Sequence, residues 1–270
     1  MPRITANTAT FSCPVDTVAA VAKAAGFDGL EIWQRDFGGS NDGAASVGAM
    51  LRGHGMAVSA FQLLRDFEGC PVGTRAAKLA EAEILMDQMS RVGAEVLLVC
   101  ANSDADSSGD RRRQVRDLKE LAAIASARHV RVAFEPLVWS RWLNDYDMAW
   151  ACVQAVDHPS LGIAVDCFHL FYRDRNPSFI DTLPLEKCLL VQLCDALPMT
   201  LPVIEIARHH RLFPGEGIWP VRDLVQRLER RGYSSYYNIE VMNAAYRLED
   251  PAAIAQRGYE SFVRLLEPAP

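Results

Sequence analysis

The sequence predicts an α/β fold, a single (β/α)8 barrel domain over residues 1–270. Two observations support this prediction. Short apolar runs of strand character alternate with longer stretches of helical periodicity, and eight strand runs fit into the 270 residues. Strands that alternate with helices pair in parallel through right-handed crossovers, and eight such units are typical of a barrel. A doubly wound open sheet is the alternative, but no glycine-rich phosphate-binding loop follows the first strand.

The predicted strands share an enrichment in apolar and β-branched residues. In chain order they are RITANTATF, GLEIW, AVSAFQLL, EVLLVC, VRVAFEP, LGIAVD, LLVQLCD and YYNIEV. The segments between them carry helix-start signals: Pro14 with Asp16 opens the first helix, Asp145 caps the fifth, and Asp250 with Pro251 opens the last. The helical pattern is weaker in NPSFIDTLPLEK, after the sixth strand, and mixed from 199 to 231.

Composition and charge exclude several function classes. Half of the residues are hydrophobic, which suffices for a large core, and the net charge is −6. An acidic protein whose one basic cluster, DRRRQVR, begins a helix is a poor candidate for binding nucleic acid. There is no membrane-length apolar run and no signal-peptide pattern, and the seven cysteines contain no CxxC pair. We expect a cytoplasmic protein without nucleic-acid or membrane partners, and a homo-oligomer is compatible with the sequence.

Oxygen-bearing side chains end four successive predicted strands. The fifth strand ends in Glu135 and the sixth in Asp166, the seventh has Gln192 near its end, and Glu240 follows the eighth. The carboxyl ends of barrel strands face one mouth, so these four side chains converge. One acid at a strand end is ordinary, but three carboxylates in a small volume repel one another. A bound divalent cation removes that repulsion, and the pattern therefore predicts a metal site.

The predicted ligand set also indicates the kind of metal. It offers three carboxylates and one amide, all of them oxygen donors. Oxygen ligands favour Mg²⁺, Mn²⁺ or Co²⁺, whereas Zn²⁺ usually prefers histidine or cysteine. Zinc is less favoured by this set but is not excluded, since Cys194 shares a strand face with Gln192.

Further candidate residues surround the predicted metal site. His169 follows Asp166 by three residues and is the best candidate for proton transfer, although it could instead orient Asp166. Gln62 and Arg65, at the end of the third strand, are candidate substrate contacts, and Arg65 suits a substrate carboxylate. Glu31 in the second strand is a weaker candidate for substrate binding. The segment ARHHRLFPGEG, after the seventh strand, offers further basic residues on a turn that could close over the site.

These stretches resemble the xylose isomerase-like barrel superfamily and, within it, the bacterial 3-dehydroshikimate dehydratases. The matching segments occur in the family's order over nearly the whole chain. They are FQLLRDFEGC, LLVCANSDADSSGD, FEPLVWSRWLNDY, DHPSLGIAVDCFH, VQLCDA, RHHRLFPGEG and IEVMN. The pair QxxRDFEG and RHxRxFPGxG is more specific than the acidic positions alone.

The resemblance implies particular roles and a reaction. It implies a divalent metal on Glu135, Asp166, Gln192 and Glu240, substrate contacts at Arg65 and Arg211, and a catalytic His169. It implies a small anionic substrate, 3-dehydroshikimate, which loses a proton next to its ketone and then a hydroxyl group to become protocatechuate. Some relatives carry a second, dioxygenase-like domain, and we expect the one-domain form here.

Two positions depart from the resemblance, and alternatives remain. Trp142 stands where many relatives have histidine, and Ala207 where they have serine, which leaves relaxed specificity and a related polyol substrate as alternatives. The main alternative is a sugar, inosose or hydroxypyruvate isomerase or epimerase of the same superfamily, but Arg65 and Arg211 favour an anionic substrate. A non-catalytic barrel and a metal-dependent endonuclease are less favoured.

Overall fold

The computed structural model describes residues 2–267, in which eight parallel strands close into a barrel. The strands are β1 (Arg3–Asn7), β2 (Gly29–Trp33), β3 (Ala57–Arg65), β4 (Val96–Cys100), β5 (Arg131–Glu135), β6 (Leu161–Asp166), β7 (Cys188–Leu193) and β8 (Tyr236–Ile239). Each strand pairs with its neighbours in sequence, and β1 also pairs with β8. The eight predicted strands and the barrel are confirmed. The open-sheet alternative is wrong because the β1–β8 pairing leaves no free edge.

Most of the helices surround the barrel on its outer face, and two short ones lie at the mouth formed by the carboxyl ends of the strands. In the described range they are α1 (Val15–Ala25), α2 (Asn41–Gly53), α3 (Arg75–Val92), α4 (Arg111–Ala127), α5 (Tyr146–Val156), α6 (Cys167–Phe171), α7 (Phe179–Thr182), α8 (Val203–His209), α9 (Val221–Arg231) and α10 (Pro251–Leu266). The predicted caps of α5 and α10 form, because the side chains of Asp145 and Asp250 accept backbone N–H groups of their helices. None of the described helices has the length and apolar character of a membrane span.

The segment after β6 is the least regular part of the described chain. The weak helix predicted there is reduced to the short helix α7. Pro177 and Pro184 lie on either side of α7, and proline cannot continue a helix beyond its first turn. The mixed segment from 199 to 231 contains two helices, α8 and α9.

The apolar core has two layers. The larger layer fills the space between the outer faces of the strands and the helices. The smaller layer lies inside the barrel on the side of β4 to β7, where the buried residues include Leu98, Ala133, Ala164 and Leu190. Burial of both layers is the main favourable contribution to folding.

The opposite side of the barrel interior is polar. The hydroxyl groups of Thr5 and Ser59 lie 2.9 Å apart, and the Asn238 amide donates to Thr5 Oγ1 at 2.9 Å. The β2–β3 pairing skips Ser59, and such a bulge changes the side-chain alternation along a strand. Ser59 and Gln62, three residues apart, can therefore both point inward. This polar part of the barrel interior continues into the candidate site.

Candidate active site

A cavity of about 360 Å³ opens at the carboxyl ends of the strands. Buried acids from β5, β6 and the residue after β8 form part of its wall. We call them the acidic cluster: Glu135, Asp166 and Glu240. Arginines from the segments that follow β2, β7 and β8 and from the end of β3 lie around the entrance. We call them the basic rim: Arg35, Arg65, Arg208 and Arg247. The cavity thus combines an acidic interior with a basic entrance.

The acidic cluster is almost completely removed from water. Glu135, Asp166 and Glu240 are 4 %, 1 % and 3 % exposed. Burial raises the pKa of Glu135 well above its ordinary value, and the negative charges of Asp166 and Glu240 raise it further. Burial also raises the pKa of Glu240, although Arg211 opposes that shift. The predicted convergence of the three carboxylates is observed, and a cation stabilises their charged forms.

Arg211 supplies one such cation from within the chain. Its Nη1 donates to Asp166 Oδ2 at 2.9 Å and to Glu240 Oε2 at 3.1 Å, while its Nε donates to the Ala207 carbonyl at 2.8 Å. The guanidinium carbon also lies 4.8 Å from the centre of the Phe168 ring. Arg211 lines the cavity as predicted for a substrate contact. Its Nη1, however, is engaged with two predicted metal ligands and not directed at the entrance.

His169 lies beside the acidic cluster and is also buried. Its Nε2 is 3.6 Å from Asp166 Oδ2, and its Nδ1 accepts the Val138 N–H at 3.2 Å. Burial lowers the pKa of His169 to about 4, because it outweighs the opposite effect of the Asp166 charge. The ring is therefore neutral at pH 7. With Nδ1 as an acceptor, its proton lies on Nε2, toward Asp166.

Gln192 and Glu31 lie directly below the acidic cluster. The Gln192 amide nitrogen donates to both oxygens of Glu31, at 3.0 and 3.2 Å. Gln62 donates to Glu31 at 2.6 Å and to Glu240 at 2.9 Å. Burial, followed by the charge of Glu240, raises the pKa of Glu31. Glu31 thus orients the two amides whose nitrogen atoms face it.

The position of Glu31 corrects its predicted role. Glu31 is 0 % exposed and does not belong to the cavity lining among the described residues. It was expected to contact substrate, but it has no accessible atom with which to do so. Gln62 lines the cavity, as its predicted role requires.

The residues of the site fit a divalent cation. Ligand atoms of Glu135, Asp166 and His169 all lie within 4.8 Å of one another. Gln192, like Glu31, is 0 % exposed and outside the cavity lining of the described residues. Unlike Glu31, it has a free ligand atom, because Glu31 holds only its amide nitrogen and its Oε1 has no hydrogen-bond partner in the described residues. An orphaned buried oxygen is costly unless a ligand satisfies it. Sequence reasoning assigned His169 to proton transfer and did not count it among the metal ligands.

The two departures from the family pattern lie in different places. Ala207 is fully buried and lines the cavity. Trp142 is 38 % exposed, donates its Nε1–H to the Ser107 carbonyl at 3.0 Å and lies outside the cavity lining of the described residues. Its indole covers Gly109, where a Cβ atom would approach the ring to 2.7 Å. Of the two positions expected near the substrate, only Ala207 is on the cavity wall.

Sequence reasoning missed four residues of the site. Asn7, at the end of β1, donates to Glu240 Oε1 at 2.9 Å, and the Cys100 thiol donates to Glu135 Oε2 at 3.0 Å. Arg35 and Arg247 line the cavity from loops after β2 and β8. The position of Asn7 at a strand end was a usable signal, because the same criterion identified the acids. The loop arginines had no comparable signal.

Arg65 lies where it was predicted, at the end of β3 on the cavity wall. It is exposed, and its side chain makes no hydrogen bond to the described residues. The following residue, Asp66, accepts the Ser103 N–H at 2.9 Å and so anchors the loop to the end of β4. Arg65 is available to an anion in the cavity but is not held in one position.

Comparisons with known proteins by sequence and by structure point to the same family. The sequence profile of the xylose isomerase-like TIM barrels matches residues 19–265. Two proteins named 3-dehydroshikimate dehydratase, from Pseudomonas putida and Pseudomonas aeruginosa, are each 35 % identical to the chain over 244 residues. The alignments cover 90 % of this chain and 38 % of each relative.

A solved structure gives the same result. It is described as a xylose isomerase-like TIM barrel/4-hydroxyphenylpyruvate dioxygenase fusion protein, and it superposes with a TM-score of 0.92 at 33 % identity. The superposition covers 98 % of this chain and 43 % of that chain. The chain therefore spans less than half of the length of these relatives.

Proposed function

The chain belongs to the xylose isomerase-like TIM barrel family, and we propose that it is a metal-dependent dehydratase that converts 3-dehydroshikimate to protocatechuate. The observation that carries the proposal is the pairing of a buried acidic cluster with a basic rim in one cavity. A substrate with a ketone, neighbouring hydroxyl groups and a carboxylate matches both features. The names of the relatives with 35 % identity support the same reaction.

The proposed metal ligands are Glu135, Asp166, Gln192 and Glu240. When bound, a divalent cation such as Mg²⁺, Mn²⁺ or Co²⁺ supplies electrophilic stabilisation of the negative charge that develops on a ketone oxygen. Glu31 prepares this site by holding the Gln192 amide nitrogen, so that the amide oxygen is free. Asn7 and Gln62 hold one oxygen of Glu240, and Cys100 holds one of Glu135. These contacts orient the carboxylates before any ligand arrives.

Elimination requires a group that moves a proton, and we assign that step to His169. The proton next to the ketone moves to His169 and from there to the hydroxyl group on the adjacent carbon, which departs as water. The resulting dienone then tautomerises, with a ring proton shifting to the ketone oxygen, to give the aromatic product. The low pKa of His169 keeps its ring neutral at pH 7, which is the state that a base requires. To accept a substrate proton on Nε2, the neutral ring must carry its single N–H proton on Nδ1. It must therefore give up the Val138 hydrogen bond as substrate binds.

The basic rim acts on the anionic end of the substrate. A guanidinium offers paired donors that match a carboxylate. Arginines at the entrance attract the substrate carboxylate, whereas the acidic cluster repels it. The carboxylate therefore stays at the entrance, away from the acids. The ring of the substrate then points inward with its oxygens toward the acids. A neutral polyol has no negative charge to pair with the rim, which disfavours the isomerase alternative.

The test is the ultraviolet absorbance of protocatechuate formed from 3-dehydroshikimate. We expect product with Mg²⁺, Mn²⁺ or Co²⁺, none after EDTA treatment, and none with Glu135→Gln. The matched control is Glu186→Gln, which neutralises an exposed glutamate before β7, and it should retain wild-type activity. Absence of product with all three metals would overturn the dehydratase proposal, and turnover of an inosose or a keto sugar would replace it with the isomerase.

A further inference from the structure

Two arginines from opposite ends of the chain lie together at the cavity entrance. Arg35 follows β2, and Arg247 lies in the turn after β8. Both line the active-site cavity, and both also line an adjoining cavity of about 460 Å³ bounded by residues such as Phe11 and Cys13. They therefore form the boundary between the two cavities.

The Arg35 guanidinium has a defined position. Its central carbon lies 4.5 Å from the centre of the Trp33 ring, an arrangement that stabilises a cation. The Trp33 indole is itself fixed, because its Nε1–H donates to Asn7 Oδ1 at 2.9 Å. Asn7 also holds Glu240, so one chain of contacts links Arg35 to the acidic cluster. Arg35 is an exposed side chain with a preferred position.

Arg247 is held from the other side of the boundary. Its Nε and Nη2 both donate to the Ala9 carbonyl, with Nε at 3.1 Å. Its backbone carbonyl accepts the Ser12 hydroxyl at 2.6 Å. The side chain is half-buried, and its Nη1 has no protein partner among the described residues. One donor group of a fixed guanidinium is thus left for a ligand.

The nearby acid Asp36 compensates this pair only in part, because burial raises its pKa and the charge of Arg35 merely opposes that shift. Within residues 2–267, neither Arg35 nor Arg247 forms an ion pair with an acidic side chain. Asp36, the acid on the adjoining cavity wall, instead accepts the Thr8 hydroxyl at 2.6 Å and the Trp33 N–H at 2.8 Å. Burial and then the charge of Arg35 lower the pKa of Arg247. Two fixed cations that repel each other are stabilised by an anion between them.

We propose that Arg35 and Arg247 form a carboxylate-binding site at this boundary and that it receives the carboxylate of the substrate. The inference rests on the proposed function for the identity of that substrate. It revises the expectation that Arg65 and Arg211 bind the carboxylate. Arg211 Nη1 is engaged by Asp166 and Glu240 and its Nε by the Ala207 carbonyl, which leaves only Nη2 for a ligand. The Arg65 side chain makes no hydrogen bond within the described residues that would hold it in place. Arg35 and Arg247 are the two rim arginines that other contacts fix in position.

Binding of 3,4-dihydroxybenzoate and 3,4-dihydroxybenzamide to the Mn²⁺-loaded protein tests the site by calorimetry. The two probes share the dihydroxyphenyl ring and differ in the group that the site would recognise, an anionic carboxylate in one and a neutral amide in the other. We expect the wild-type protein to prefer the benzoate, and Arg35→Gln and Arg247→Gln each to reduce that preference about tenfold, as expected for one charge-assisted pair. Affinity for the benzamide should not change. Arg230→Gln, at the end of α9, is the matched control and should behave like the wild type.

The outcomes separate this site from the proposed reaction. If 3-dehydroshikimate is not converted but the benzoate preference depends on Arg35, the carboxylate site stands and the dehydratase fails. If 3-dehydroshikimate is converted but Arg35→Gln keeps the full preference, the carboxylate site is overturned and the dehydratase stands. Loss of the benzoate preference in Arg65→Gln, with the preference kept in Arg35→Gln, would also overturn the carboxylate site. Arg35 is exposed, so Arg35→Gln should fold even if Arg247→Gln, which loses the Ala9 contacts, does not.

Discussion

The acidic cluster and the basic rim share one cavity but differ in their contact with water. The carboxylates of Glu135, Asp166 and Glu240 are nearly inaccessible, and the apolar interior of β4 to β7 lies beneath part of the cluster. The rim arginines Arg35, Arg65 and Arg208 are exposed. Charge interactions are strong where water is excluded and weak where water screens them. Changes in the cluster should therefore have larger effects than the same changes of charge on the rim.

The largest expected effect comes from removing one charge of the cluster. Asp166→Asn should weaken Mn²⁺ binding about 1000-fold, because it replaces a buried anionic ligand by a neutral amide. Titration calorimetry with Mn²⁺ measures this directly. Asp147→Asn, which neutralises an exposed aspartate of α5, is the control and should bind as the wild type does. Unchanged affinity in Asp166→Asn would show that the cluster is not the metal site.

Removing the buried cation should destabilise the fold itself. Arg211→Gln leaves Asp166 and Glu240 without their shared partner, and a buried ion pair broken on one side typically costs about 3–5 kcal/mol. Urea unfolding of the EDTA-treated protein measures the change. Added Mn²⁺ should restore part of the lost stability, because it compensates the same carboxylates. A variant as stable as Arg230→Gln would show that Arg211 contributes no net stabilisation.

Glu68 tests whether a buried carboxylate without a nearby cation behaves differently from the cluster. Its Oε1 accepts the Asn102 N–H at 2.6 Å, its Oε2 has no partner in the described residues, and burial raises its pKa to about 8. Since the folded pKa exceeds the ordinary value of 4.5, Glu68 favours the folded state most at low pH. That contribution is lost as pH rises from about 4.5 through 8.

The corresponding substitution removes this pH dependence. Glu68→Gln cannot ionise, so its stability relative to the wild type should rise by about 3 kcal/mol between pH 5 and pH 8. Urea unfolding at a series of pH values gives the difference between the two proteins, and Glu186→Gln serves as the control. A difference that stays constant with pH would mean that Glu68 is ionised throughout this range in the folded protein.

The smallest expected effect is on the rim. Arg65→Gln should raise KM for 3-dehydroshikimate by a few-fold and leave kcat nearly unchanged, because an exposed and unanchored arginine contributes about 1 kcal/mol or less. Steady-state kinetics at two salt concentrations measure the effect, which should shrink at high salt. A large fall in kcat would place Arg65 at the reacting atoms and remove the distinction between cluster and rim.

The elements of the fold were predictable from local patterns. Runs such as GLEIW and EVLLVC are too short and too apolar for surface helices, and the strands that they form are β2 and β4. The alternation of such runs with amphipathic segments leaves parallel pairing as the simplest arrangement. The segment around α7 was predicted less well, because it contains prolines and its periodicity is weak. Contacts with other parts of the chain therefore determine its path.

The site was predictable only where the strands themselves position it. Glu135 and Asp166 end strands, so the register of the barrel alone carries them to the mouth. The positions of loop residues depend on long-range contacts, which no local sequence pattern encodes. The loop after β7 is held by Asp195, whose side chain accepts the N–H groups of Gly215 and Trp219 at 3.0 Å each. That loop includes the neighbourhood of Arg211 and helps to decide where its guanidinium lies.

The barrel, the order of its strands and the convergence of the acids are predictable from the chain alone, because each follows from periodicity and from the common direction of parallel strands. Three further features arise from the folded chain. Folding placed Arg211 between Asp166 and Glu240, buried Glu31 below the cavity, and brought Arg35 and Arg247 to one boundary. These features depend on side-chain packing and loop paths, in which residues distant in sequence compete for the same partners.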